Sequence, residues 1–391
     1  MNRNQILEKI ASNPLGVTDE EMQFLVETEE DLFAELRKLI LRIFDINERS
    51  LLAESDATSG MMGKFNRISQ NYRTKKYFKK IKDPRFNRNS GKHKIIVAEG
   101  DSWFQFPVFV KDIIDWLTER NQHYAIYSIA AGGDWLTNMI YDGKYVEQLS
   151  IHKPDVFLIS GSGNDLVGSS RAALMADKNA RFPKYNSINE IKDKLLSVEE
   201  KNEILGVQNF ITKEFYAFIK TMELQYWKII DSINRKYPQM KIIIQGYDYA
   251  IPSYRHTFDW RYPWKFIVNG VLRSGKWLIE PLRIKGFINP EEQRIIVKTF
   301  IFELNFMMMN LVKKFHNVYH VDARGTAKGP NDWFDELHLK SHVFKKVAIA
   351  FEHFIELSIP KPSKTGNQDF LGFHPGYRDR TVHVNEIVQK R

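Results

Sequence analysis

The stretch "KIIVAEGDSWFQFP", Lys94 to Pro107, decides how the chain is read. Apolar residues run into Gly100-Asp101-Ser102, and two aromatics follow. A run that is apolar throughout, rather than alternating, is the pattern of a strand buried on both faces. In parallel α/β folds the carboxyl ends of such strands carry the ligand. Ser102 stands at that position, either as a nucleophile or as a hydroxyl that caps the next helix.

Four more runs share the pattern: "AIYSIAAGG" (125–133), "DVFLISGSG" (155–163), "KIIIQGY" (241–247) and "VYHVDARG" (318–325). Helical stretches such as "VFVKDIIDWLTER" lie between them. Strand–helix alternation predicts an α/β fold with a doubly wound, mostly parallel, five-stranded sheet over residues 93–360. Residues 1–63 are helical in pattern, with Thr18 and Glu21 spaced as a capping box. Residues 64–92 read as a basic connector, and residues 361–391, rich in Pro, Gly and polar groups, as a surface tail.

The composition, 43% hydrophobic and 27% charged, is that of a globular protein with a sizeable core. With no cysteine, disulfides, thiolate zinc sites and cysteine nucleophiles are excluded. The first residues lack the apolar core of a secretory signal, so a cytoplasmic location is expected. The most apolar segment, "TFIFELNFMMMNLV", is broken by Glu303, Asn305 and Asn310 and reads as a core helix. The net charge of +9 is concentrated: residues 64–94 hold twelve Lys and Arg against one acid, Asp83. This run reads as a solvated linker folding back on the acidic N-terminal helices. The alternative is contact with an anionic membrane through Lys75, Lys76, Lys79, Lys80 and Lys82. Nucleic acid is not the expected partner.

The chemistry gathers at the strand ends. After the first comes Ser102, after the second Gly132-Gly133-Asp134, after the third Ser162-Gly163-Asn164-Asp165. Beyond the fifth lies "NDWFDELHLK", with Asp335 three residues before His338. A serine needs a base to take its proton, and imidazole suits that task. The imidazole needs an acceptor to hold its tautomer, and Asp335 is within a short turn. A developing oxyanion needs fixed donors: the Ser102 and Gly133 N–H groups and the Asn164 amide would supply three. Taken singly, each residue reads as a cap, a turn former or a surface histidine. Their joint order carries the reading.

In that order the blocks resemble the SGNH hydrolases, the GDSL-type esterases and lipases. The matching pieces are "GDS" at 100–102, Gly133, the "xND" block at 162–165 and "DxxH" at 335–338, within about residues 93–357. The resemblance implies a flavodoxin-like three-layer α/β/α sandwich, which the strand pattern suggests independently. It implies Ser102 as nucleophile, His338 as base, Asp335 as its partner, and Ser102, Gly133 and Asn164 as the oxyanion hole. It implies acyl transfer through an acyl-enzyme, with no metal or organic cofactor. Three positions depart from the usual pattern: Trp103 after the serine, Ser162 opening the third block and Ser128 in the second.

Competing motifs are poorer. Phe104 stands where a G-x-S-x-G elbow needs glycine. His338 and His342 are spaced for one metal, but the glutamate of H-E-x-x-H is absent. Trp103 and Phe104 beside the nucleophile, and Tyr254, Trp260, Tyr262 and Trp264 in an aromatic insertion, are the expected pocket residues. Three functions follow: an esterase or lipase acting on acyl lipids, an esterase removing acetyl groups from carbohydrate, and a catalytically idle α/β adaptor. Oligomeric state is not legible.

Overall fold

A computed structural model of the chain describes residues 2–28, 31–45, 60–106, 110–167, 171–253, 277–358 and 380–390, with backbone only for 60–62. Six strands form one sheet: β1 (Lys94–Gly100), β2 (Tyr124–Ser128), β3 (Val156–Ser160), β4 (Lys241–Gln245), β5 (Val318–Asp322) and β6 (Thr381–His383). Their order is β2-β1-β3-β4-β5-β6, and every pairing is parallel. β3, β4 and β5 are buried along their whole length, as continuous apolar runs require. β1 has β2 on one side and β3 on the other, so the winding reverses there. The crevice at the carboxyl ends of β1 and β3 is the topological switch point of the sheet.

Helices cover both faces. α1 (Arg3–Ser12), α2 (Asp19–Thr28) and α3 (Leu32–Ile43) open the chain, and α4 (Gly60–Ile81) precedes β1. α5 (Ile113–Arg120) follows β1, and α6 (Leu136–Asp142) and α7 (Lys144–His152) follow β2. α8 (Gly163–Val167) and the long α9 (Lys213–Lys236) lie between β3 and β4. α10 (Pro290–Val312) precedes β5, α11 (Ser341–Glu356) follows it, and α12 (Val384–Lys390) ends the described chain. α5 and α11 pack together on one face, where Trp116 Nε1 donates to Ser341 O (2.8 Å) and Arg120 grips Glu352 with two bonds. α9 packs with α6 and α10 on the other, and the N-terminal helices lie outside α9.

Local signals account for the helix ends. Thr212 Oγ1 accepts from Phe215 N, Glu214 sits in the first turn of α9, and Arg235 and Lys236 sit in the last. These charges complement the helix dipole. The predicted capping box of α2 is formed: Glu21 N donates to Thr18 Oγ1, and Thr18 N donates to Glu21 Oε2. α10 is long and apolar enough to cross a membrane, but most of it is buried within the fold. Its polar interruptions are paired: Glu303 meets Lys184, and Asn305 Nδ2 donates to Tyr247 O (3.0 Å).

Two expectations are corrected. The stretch read as a basic connector, 64–92, is helical as far as Ile81, as part of α4, which packs on the edge strand β2. It does not read as amphipathic because the face it buries is largely polar. Asn66, Gln70, Arg73 and Tyr77 follow helical spacing and meet main-chain oxygens, acids and His152, while Lys75, Lys76, Lys79 and Lys82 face solvent. The stretch read as a tail supplies the sixth strand. β6 pairs with β5, His383 Nε2 lies 3.1 Å from the Asp322 carboxylate, and α12 packs on α11. A three-residue strand is too short to show periodicity.

Removing residues 380–391 would uncover the β5 edge and take away the buried side chains of Val382, Val384 and Ile387 from the core. At roughly 1.5–3 kcal/mol per apolar side chain, the loss is on the order of 5 kcal/mol. The truncated chain should therefore melt at least several degrees lower. An unchanged melting temperature would show that β6 adds nothing to the fold.

Candidate active site

The turn after β1 is organised by Asp101. Trp103 N donates to Asp101 Oδ1 (3.0 Å), and Phe104 N and Gln105 N both donate to Asp101 O. Asp101, not Ser102, is therefore the residue that caps this turn. The Ser102 N–H donates to no partner among the described residues, as is usual for the first amides of a helical turn. Ser160 Oγ, at the end of β3, and the Tyr247 hydroxyl, just beyond β4, also donate to the Asp101 carboxylate. Burial raises the pKa of this carboxyl, and the three donors oppose that rise.

The ends of β1, β2 and β3 are zipped side by side. Ala131 N donates to Gly100 O (2.8 Å), and Asp101 N donates to Ser160 O (3.0 Å). Gly133 and Ser102 thus lie two residues beyond adjoining points of the zip. Gly133 has φ +84°, in the left-handed region that glycine enters without a steric penalty. Its N–H also has no partner among the described residues.

The third block is equally constrained. Asp165, buried, accepts from Leu136 N, Thr137 N and the Thr137 hydroxyl, so it holds the start of α6. Asn164 Nδ2 gives one hydrogen to Asp134 O (2.8 Å), which fixes the amide and leaves its second hydrogen for another acceptor. A Cβ on Gly163 would stand 2.7 Å from the Tyr247 ring, so only glycine fits there. Ser162 has φ +77°, a strained value for a residue with a side chain, costing on the order of 1 kcal/mol. Burial, with Asp165 adding repulsion, pushes the Asp134 carboxyl up to about 7.

His338 and Asp335 arrive on the loop between β5 and α11. The Asp335 Oδ1 atom accepts from the main-chain N–H groups of Leu337 and His338, each at 2.8 Å. His338 Nδ1 lies 2.8 Å from both Asp335 oxygens, and His338 Nε2 lies 2.7 Å from Ser102 Oγ. All three side chains are buried, at 4–8% exposure. The Phe106 ring packs on the imidazole, with centroids 4.4 Å apart. The five predicted residues fall along one rim: three form a continuous hydrogen-bonded row, and Gly133 and Asn164 flank it. His342 is turned elsewhere, to Asp332 at 3.0 Å, and does not share a site with His338.

The expected pocket residues divide. Trp103 lines a small cavity beside Ser102, with its indole N–H on Leu337 O (3.1 Å) and its ring against Tyr247 and Phe344. Phe104 does not line it. The turn that Asp101 sets up carries its ring into the core, fully buried against Phe351 of α11. Tyr254, Trp260, Tyr262 and Trp264 lie outside the described residues. The cavity, of about 30 Å³, has apolar walls that include Leu166, Val167, Leu278 and Phe300.

Several participants escaped the sequence reading. Tyr247 ends the fourth apolar run but carries no motif. Glu336, between Asp335 and His338, accepts four main-chain N–H bonds, from Ser253, Trp277, Leu278 and Ile279. It thereby ties the wall residue Leu278 to the histidine loop. Burial pushes this carboxyl up to about 7 against those donors.

No family model and no curated protein matches the chain. Among solved structures, a protein named as a GDSL-like lipase from Parabacteroides merdae is 10% identical, with a TM-score of 0.36 over 67% of this chain and 97% of that one. An acetylxylan esterase from Geobacillus stearothermophilus is 11% identical, with a TM-score of 0.35 over 68% of this chain and 96% of its own. A catalytic mutant of that esterase is 10% identical, at 0.34 over 69% and 97%.

Proposed function

We propose that the chain is a serine ester hydrolase of the SGNH type, in which Ser102 is the nucleophile, His338 the general base and Asp335 its orienting partner. One observation carries the reading: the unbroken row Ser102 Oγ–His338 Nε2, His338 Nδ1–Asp335, at the switch point of a parallel sheet. His338 takes the Ser102 proton as the hydroxyl oxygen attacks the ester carbonyl carbon. The carbonyl electron pair moves to oxygen, and that oxyanion is held by the Ser102 and Gly133 N–H groups and the Asn164 amide. Collapse expels the alcohol, which takes the proton from His338. Water then attacks the acyl-enzyme by the same route, releasing the acid and restoring Ser102. The tight Nδ1 contact with Asp335 keeps Nε2 facing the serine and stabilises the imidazolium that forms.

The substrate we propose is an ester with a short acyl group. A water-sized position needs roughly 10–15 Å³. The cavity of about 30 Å³ beside Ser102 therefore takes two or three heavy atoms. Its apolar walls suit a methyl or ethyl group. This favours the acetyl-ester reading over that of a long-chain lipase.

We propose separately that the outer side of α4 contacts anionic lipid. Lys75, Lys76, Lys79 and Lys82 are exposed there, with Ile68 at 60% and Tyr72 at 57% exposure, and α4 contains no acid. Lys80 is half covered and donates to Asn121 O (3.2 Å). An exposed helix side rich in lysine and free of acids suits the negative surface of an anionic leaflet.

Three measurements follow. Ser102→Ala should abolish hydrolysis of p-nitrophenyl acetate, a loss of at least about 10⁴-fold, and Asn164→Ala should lower kcat by roughly 10²–10³-fold. Wild-type rates in Ser102→Ala would sink the assignment. Acetyl and propionyl esters should turn over at least about tenfold faster than octanoyl esters, and the reverse order would refute the short-acyl reading. The chain should sediment with phosphatidylglycerol vesicles but not phosphatidylcholine vesicles, and replacing Lys75, Lys76, Lys79 and Lys82 by Gln should abolish that. Binding unaffected by the four changes would remove the lipid proposal.

A further inference from the structure

Helix α4 lies outside every motif that suggested an esterase, yet its buried face ends on the loop that carries Gly133. Gln70 Nε2 donates to Ile129 O (3.3 Å) and Ala130 O (3.0 Å). One turn earlier, Asn66 makes a two-point contact with a single residue of the loop. Its Oδ1 accepts from Gly132 N (2.9 Å), and its Nδ2 donates to Gly132 O (3.0 Å). Gln105, on the Ser102 turn, donates to both Asn66 O and Asn66 Oδ1 at 3.1 Å. Asn66 is 5% exposed, so these bonds are made away from competing water.

The geometry has a direct consequence for Gly133. The Gly132 carbonyl and the Gly133 N–H belong to the same peptide unit. That unit is planar and trans, so its C=O and N–H point in opposite directions. Holding Gly132 O against α4 therefore turns the Gly133 N–H away from α4. Two consecutive glycines have little conformational preference of their own, so an outside group must choose this orientation. An oxyanion donor helps only if it is aimed before charge develops.

We infer that Asn66 is a positioning residue that aims the Gly133 N–H at the oxyanion. This rests on the reading of Gly133 as an oxyanion donor. Asn66 touches no reacting atom. It makes α4 a structural part of the catalytic machinery, and it couples the Ser102 turn to the oxyanion loop through Gln105.

The test uses the full-length chain with Asn66→Ala and Asn66→Asp, assayed on p-nitrophenyl acetate beside wild type and Ser102→Ala. The aspartate is isosteric and still accepts from Gly132 N, but it sets an oxygen against Gly132 O, so the peptide loses its pin while packing is kept. Both variants should lower kcat by about 10- to 100-fold, with KM within about twofold of wild type. Their affinity for a trifluoromethyl ketone, which forms an oxyanion adduct, should fall in the same ratio as kcat/KM. If Ser102→Ala is inactive while both Asn66 variants keep kcat within threefold of wild type, the positioning role is wrong. Loss of kcat with unchanged ketone affinity would overturn it too, since the defect would then lie elsewhere. If Ser102→Ala matches wild type, the esterase reading itself fails, and the inference falls with it.

Discussion

A single buried carboxylate, Asp101, holds three strand ends together, and the site depends on it. Burying a charge is costly unless donors surround it. Asp101 is surrounded by the Trp103 N–H at the end of β1, the Ser160 hydroxyl at the end of β3 and the Tyr247 hydroxyl beyond β4. Because Asp101 does the capping, the next residue is free of that duty. Ser102 can then present its oxygen to His338. Of the two roles posed by the sequence, the cap falls to Asp101, and nucleophile is the role we propose for Ser102.

The histidine side of the site is built on the same principle. Asp335 accepts two main-chain N–H bonds as well as the imidazole, so the loop from 335 to 338 is a closed local unit. Glu336 fastens that unit to residues 277–279, and Phe106 covers the imidazole ring. Such packing excludes water, and the electrostatic interactions inside strengthen accordingly. The side that carries Gly133 and Asn164 is instead held by amide groups. Asn164 is steadied by Asp134 O, and the Gly132–Gly133 peptide is steadied by Asn66.

Much of the fold was legible. The five apolar runs became β1 to β5 because strands buried on both faces must be continuously apolar, and their glycine-rich ends mark the rim. Ser102, Gly133, Asn164, Asp335 and His338 were legible as a set through their order along the chain. What stayed hidden has a common physical cause. α4 buries amides, a guanidinium and a phenol against main-chain oxygens, acids and His152, so its periodicity is invisible to hydropathy. β6 is three residues long and takes its stability from the β5 edge and from Asp322. Phe104 has a neighbour in the cavity wall, but a turn sends its ring the other way.

The sequence by itself determined the alternation of strand and helix, the residue types at the strand ends, and the local Asp335–His338 pair, whose spacing lets one carboxylate cap the turn and meet the imidazole. Hydropathy and short-range hydrogen bonding decide those features within a few residues. The tertiary structure alone decided that His338 meets Ser102 across 236 positions. It alone decided that Asp101 gathers β1, β3 and β4, that the cavity is small, and that Asn66 reaches Gly132 across 66 positions. These are contacts between partners that no periodicity relates, and they exist only once the sheet has set the strand order.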